Sequence, residues 1–185
     1  MLRYLNLWRW SMKAVHYTVK GAMESLASEL ALVLEKDAIF VCIGTDRCTG
    51  DSLGPLIGTM LSKYDLGDHI VYGTIKHPVH ALTIEKTVAE IQEKYKGRQV
   101  IAIDAASGLF SGYMRVKDEP ILPGLGVGKT LPAVGDYSIV ATTCTKNENI
   151  LYTRLDLIFD MSQIIVDAII QAIRATENEY KESIM

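Results

Sequence analysis

Hydrophobic positions along this chain follow two periods, and the chain switches between them several times. Met23, Leu26, Leu30, Leu32, Val33 and Leu34 keep a mostly helical spacing, which predicts a helix over 21–35. An apolar, β-prone run at 38–43 predicts a strand. Leu53, Leu56, Ile57, Met60 and Leu61 then recur at i, i+3, i+4 and predict a helix over 53–64, with Pro55 tolerated in its first turn. A short strand is predicted at 69–74. After Pro78 a second amphipathic helix is predicted over 81–95, ended by Gly97. The wholly apolar run at 100–104 reads as a strand covered on both faces. Positions 113–117 alternate, as in a hairpin or edge strand, and 137–143 predict another strand. In the last segment, Ile158, Met161, Ile165, Ala168, Ile169 and Ala172 form one stripe of a helix over 155–176. Asp156, Asp160, Gln163 and Asp167 interrupt that helix, so it is no membrane span.

Alternating strands and helices predict a three-layer α/β/α sandwich with a mainly parallel sheet. No internal repeat and no linker divides the chain, so residues 1–185 are expected to form a single domain. Residues from about 1 to 15, rich in leucine and aromatics with two arginines, stand apart as an extension. A misassigned start with Met12 as the true one, a disordered tip and a membrane-surface anchor all remain open for it. Between 119 and 136 lies a stretch rich in proline and glycine, and a loop that long in a compact domain is usually functional.

Composition narrows the function. A net charge of -3 gives no electrostatic footprint for nucleic acid. The three cysteines, Cys42, Cys48 and Cys144, have no metal-ligand spacing and form no disulfide framework, which points to a reducing, cytoplasmic compartment.

The candidate chemistry gathers where predicted strands end. The strand at 38–43 runs into Gly44, a polar loop, Asp51 and then a helix; the strand at 100–104 ends on Asp104. In open α/β sheets, ligands sit outside the carboxyl ends of strands. Two aspartates there can share a proton, one serving as acid and one as base, or can hold a divalent metal with a bound water. Each also has a purely structural reading: Asp51 as a helix N-cap, Asp104 as a carboxylate bracing its own turn. The run Gly124-Leu125-Gly126-Val127-Gly128-Lys129 is no phosphate loop, because Pro123 occupies the position of the required first glycine. Gly124, Gly126, Gly128 and Lys129 are instead expected to wall a substrate site with backbone amides. His80, in His77-Pro78-Val79-His80, falls near the same strand ends and takes either a structural or a substrate-side role. A cation at Arg154, at the start of the last helix, is unfavourable for the helix dipole. It points to a local acidic partner or a substrate contact, set against the default of a solvated arginine. Cys48 lies in the first loop with no neighbour in sequence to activate it.

The string CIGTDRCTGDSLGP closely resembles the signature of the YyaC-type sporulation proteins of spore-forming Firmicutes. The resemblance continues through Pro78–Ala81, Ile103-Asp104-Ala105, Leu122–Lys129, Val134-Gly135-Asp136 and Thr153-Arg154-Leu155, covering roughly residues 38 to 160. That family is similar to the spore germination protease, which degrades small acid-soluble spore proteins, and more distantly to the hydrogenase maturation proteases. The resemblance implies a phosphorylase/hydrolase-like α/β/α sandwich. Asp51 and Asp104 match the two essential aspartates of the germination protease, and Pro123–Gly128 matches its glycine-rich loop. In the hydrogenase proteases the matching acidic positions bind nickel together with a histidine, which has no assigned counterpart here. A spore-associated cytoplasmic peptidase is therefore expected, located in the forespore or spore core. An inactive relative that binds a sporulation or germination partner, and a metal-dependent hydrolase, are the alternatives.

Overall fold

The computed structural model describes residues 13–124 and 131–183. In chain order the elements are β1 (Val15–His16), α1 (Ala22–Ala31), β2 (Ile39–Cys42), α2 (Leu53–Leu61), β3 (Ile70–Tyr72), α3 (Ile84–Lys94), β4 (Val100–Gly108), β5 (Tyr113–Lys117), β6 (Tyr137–Thr145) and α4 (Leu155–Ser183). One six-stranded sheet has the order β1-β5-β6-β4-β2-β3. Strands β3, β2, β4 and β6 are parallel, while β5 and β1 complete one side antiparallel.

Strand alternation sorts the core into two layers of side chains. Phe40 and Cys42 of β2, with Ile101 and Ile103 of β4, face a cluster built from α1, α2 and α4. Ile39, Val41 and Ala102 face the other way, onto α3 and the segment around Ile121 and Val134. The sandwich is thus unequal: three helices cover one face, and one helix plus an irregular segment covers the other. The apolar stripe of α4 (Ile158, Met161, Ile165, Ala168, Ile169, Ala172) is buried against the larger cluster. No helix among the described residues is long and apolar enough to cross a membrane.

Departures from the predicted elements are local. Helix α4 continues to Ser183 and α3 begins only at Ile84. Val15 and His16, at the end of the presumed extension, pair with Met114 and Tyr113 as an edge strand. The largest departure is in β4, which runs to Gly108 rather than stopping at Asp104. Ala105, Ala106, Ser107 and Gly108 have little strand propensity, but pairing with β6 holds them extended, a case of tertiary context overriding local preference.

Candidate active site

The topology creates the site. From β2 the chain moves outward through α2 to β3; it then returns across β2 through α3 to β4. The strand order therefore reverses between the carboxyl ends of β2 and β4, which leaves a crevice there. Gly44 begins the turn into it. Its φ is +138°, and a β-carbon at this position would fall 2.1 Å from the Asp51 carbonyl oxygen. That carbonyl accepts the Thr45 N–H at 3.0 Å, so the loop folds back on itself and sets Asp51 beside the end of β2. Gly54 allows α2 to pack close: a β-carbon there would lie 2.0 Å from the Ile43 carbonyl oxygen.

Asp51 sits at the end of a single 3-10 turn, Thr49–Asp51. It is not the N-cap of α2; Ser52 holds that position, and no side chain caps the helix. Asp104 lies within β4, opposite Val140 of β6, at the level where β2 has just ended. The Ala105 N–H donates to its Oδ1 at 2.9 Å. Because an amide can only donate, a proton on this carboxyl resides on Oδ2.

Both aspartates line one cleft of about 840 Å³. Burial raises the Asp51 pKa to about 6, opposed by a backbone hydrogen bond from Thr45 and by His80. Burial raises that of Asp104 further, to about 8, with the nearby Asp51 charge adding to the effect and the Ala105 hydrogen bond opposing it. The two carboxyls thus ionise in sequence, Asp51 first, and near neutrality the pair holds one proton and one negative charge.

Of the other residues singled out in the sequence, His80 and Gly124 line this cleft. The Leu82 N–H donates to His80 Nδ1 at 3.2 Å, so this ring nitrogen carries the lone pair and Nε2 is left for the cleft. Gly126, Gly128 and Lys129 lie outside the described residues. Arg154 lies elsewhere: its side chain is 82% exposed and pairs with Asp156 at 2.9 Å, the local acidic partner its position implied. It borders a neighbouring cleft of about 560 Å³ with Tyr152 and Thr153. Exposed ion pairs contribute little. Arg154→Ala is therefore expected to leave whatever activity the aspartate cleft carries within about twofold of wild type.

Sequence reasoning missed the third wall of the cleft, formed by Thr145 at the end of β6 and by Lys146, Glu148 and Asn149 beyond it. The Glu148 carboxylate accepts the Thr145 N–H at 2.7 Å and fixes that turn. The signal available was a polar run following a predicted strand, the same signal that marked the loop after β2. Cys48 and Cys144 also line the cleft, and both are free thiols. Burial raises the Cys144 pKa, which opposes thiolate formation. Among the described residues no group of three or more His, Cys, Asp and Glu side chains is placed to hold a metal ion. The two aspartates with His80 do not make a ligand set.

Fold and cleft together define a three-layer α/β protein with a cleft at the carboxyl ends of its parallel strands. Residues 14–168 match the family described as protein of unknown function (DUF1256), and the chain belongs to that family. It is 39% identical over 150 residues to the uncharacterized protein YyaC of Bacillus subtilis (strain 168), an alignment covering 78% of this chain and 73% of that protein. In fold it is similar to the NiFe hydrogenase maturation protease HycI from Thermococcus kodakarensis KOD1. There the TM-score is 0.54 at 15% sequence identity, over 79% of this chain and 97% of the other.

Proposed function

We propose that this protein is a peptidase that hydrolyses peptide bonds with Asp51 as general base and Asp104 as general acid. The supporting observation is the placement of two carboxyls in one cleft at the reversal of strand order, with environments that separate their ionisation. Ionised Asp51 takes a proton from water as the water oxygen attacks the substrate carbonyl carbon. Asp104 gives its Oδ2 proton to the carbonyl oxygen. The tetrahedral intermediate then collapses: the proton held by Asp51 passes to the departing nitrogen, the C–N bond breaks, and Asp104 regains its proton from the hydroxyl that becomes the new carboxyl's carbonyl oxygen. His80 and Gly124, which line the cleft, would contact the substrate. Small acid-soluble spore proteins are the substrate we assign, and the spore core the setting, on the strength of the sequence motifs around Asp51 and Asp104.

The test is a digest of a small acid-soluble spore protein by wild type, Asp51→Asn and Asp104→Asn, each with and without EDTA, read by intact mass. Discrete cuts by wild type alone, unchanged by EDTA, are expected. Cuts that vanish with EDTA and return with one divalent ion would replace the dyad by a metal mechanism. Cuts that persist in both variants would remove the two aspartates from the chemistry.

The ionisation order also predicts a pH profile. Activity needs Asp51 without its proton and Asp104 with its own. The kcat/KM of the wild type is therefore expected to be bell-shaped, rising through about 6 and falling through about 8. A profile flat from pH 5 to 9 would contradict the assignment.

A further inference from the structure

Strand β4 outlasts its neighbour on one side only. It pairs with β2 as far as Ile103, where the Ile43 N–H donates to the Ile103 carbonyl at 2.7 Å. It pairs with β6 as far as Gly108. From Ala105 onward, no strand of the described residues covers the edge of β4 that faces the cleft.

Backbone alternation shows which groups lie on that edge. The Gln99 and Ile103 carbonyls accept bonds from the β2 side, through Ile39 and Ile43. The Val100 and Gly108 carbonyls accept bonds on the β6 side, from Asp136 and Lys146. Odd-numbered residues of β4 thus turn their backbone polar groups to β2, and even-numbered ones to β6. The register irregularity between Ala106 and Ser107 leaves this order intact, because the extra residue is Thr143 on β6. Ala105 and Ser107 therefore direct their carbonyls, and Ser107 its N–H, into the crevice. The Ala105 N–H is already held by Asp104. Asp104, Ala105, Ala106 and Ser107 all line the cleft, and Ser107 is exposed. An open row of backbone donors and acceptors at strand spacing is a template for one more strand.

We infer that the free edge of β4 from Ala105 to Ser107 binds an extended polypeptide as an added strand. The added strand would occupy the place that β2 vacates and lie against the two aspartates. This rests on the peptidase reading and gives the substrate its class: an unfolded or locally extended segment, held by its main chain and therefore tolerant of sequence. The wall it meets is small, Ala105-Ala106-Ser107, so side chains need not match deep pockets. Such a site refuses proline or N-alkylated residues wherever the peptide must donate to the edge.

The test uses full-length Asp51→Asn protein, to hold peptide without cutting it. The probe is a set of short overlapping peptides tiling reduced, carboxymethylated lactalbumin. The tightest tile is then remade with single backbone N-methyl groups. Alternating sensitivity is expected: methylation at a pairing position weakens binding at least about tenfold, and methylation at its neighbours does so by less than about threefold. Ser107→Pro, which deletes the edge donor, is expected to weaken binding about tenfold or more, and Ser107→Ala to leave it unchanged. The methylated peptides leave the protein untouched, so their result stands even where the proline variant unfolds. Binding indifferent to methylation overturns the edge site and leaves the peptidase reading standing. Failure of every tile to bind also overturns the edge site. Alternating sensitivity without cleavage by wild type would retain the edge and reject the peptidase.

Discussion

Asp104→Asn is expected to lower hydrolysis by at least about a thousandfold, near the upper range for loss of a positioned general acid. It should do so without loss of stability. Asparagine is close in shape to a protonated aspartate, and its carbonyl oxygen can still accept the Ala105 N–H. The sign of the pH effect follows from the direction of the shift. The folded carboxyl holds its proton up to about 8, whereas the same group in the unfolded chain releases it near the ordinary value of about 4. Between those values the folded state binds more protons, so the stability of the wild type falls as pH rises through that window. The asparagine has no proton to lose. The Tm of the variant should therefore exceed wild type modestly at pH 5 and by more at pH 9, measured by calorimetry at both. A variant less stable than wild type at pH 5 would show that its lost activity reports unfolding rather than chemistry. Asp51→Asn should lose comparable activity, with a smaller gain in Tm, because its carboxyl is shifted less.

Gly44→Ala is expected to fail in the opposite manner, losing stability and activity together. The position combines a φ of +138° with a backbone oxygen 2.1 Å from where the new carbon would stand. That oxygen belongs to Asp51, and no flexible side chain is available to yield. Relief requires moving the loop that carries Asp51 or the end of β2 that anchors it. A cost of about 3–4 kcal/mol is expected, at the severe end for a single substitution, from backbone strain and lost loop hydrogen bonds. Urea denaturation should show the midpoint falling with little change in slope. A midpoint within experimental scatter of wild type would mean that the turn is more plastic than its geometry implies.

The contrast between these two variants tracks what could be read from the sequence. The layers were legible because the apolar spacing of α2 and α4 and the apolar run of β2 each carry their own period. Asp51 and Asp104 stood out because each follows such a run. The extent of β4 was not legible: Ala105 to Gly108 carry no strand signal and are extended only because β6 residues far along the chain, such as Ala141 and Thr145, pair with them. The two-residue strand Val15–His16 was hidden for the same reason, since its partner Tyr113-Met114 is distant in the chain. Which of the two carboxyls ionises first was invisible, because burial is a property of the assembled cleft. The wall of Thr145 to Asn149 could have been found by treating every strand end alike. Of the predicted glycine-rich wall, only Gly124 falls among the described residues, and it does line the cleft.

The strand order also bears on how the protein is made. Strand β6 lies between β4 and β5, yet it is synthesised after both. The helix that buries much of the larger core, α4, follows later still. A ribosome that has reached residue 136 therefore carries a chain whose sheet lacks an interior strand, with the apolar sides of α1 and α2 uncovered. Such a chain cannot complete its core until β6 and α4 have been made. Until they emerge, the nascent protein presents unpaired strand edges and uncovered apolar surface, the kind of exposure that favours aggregation.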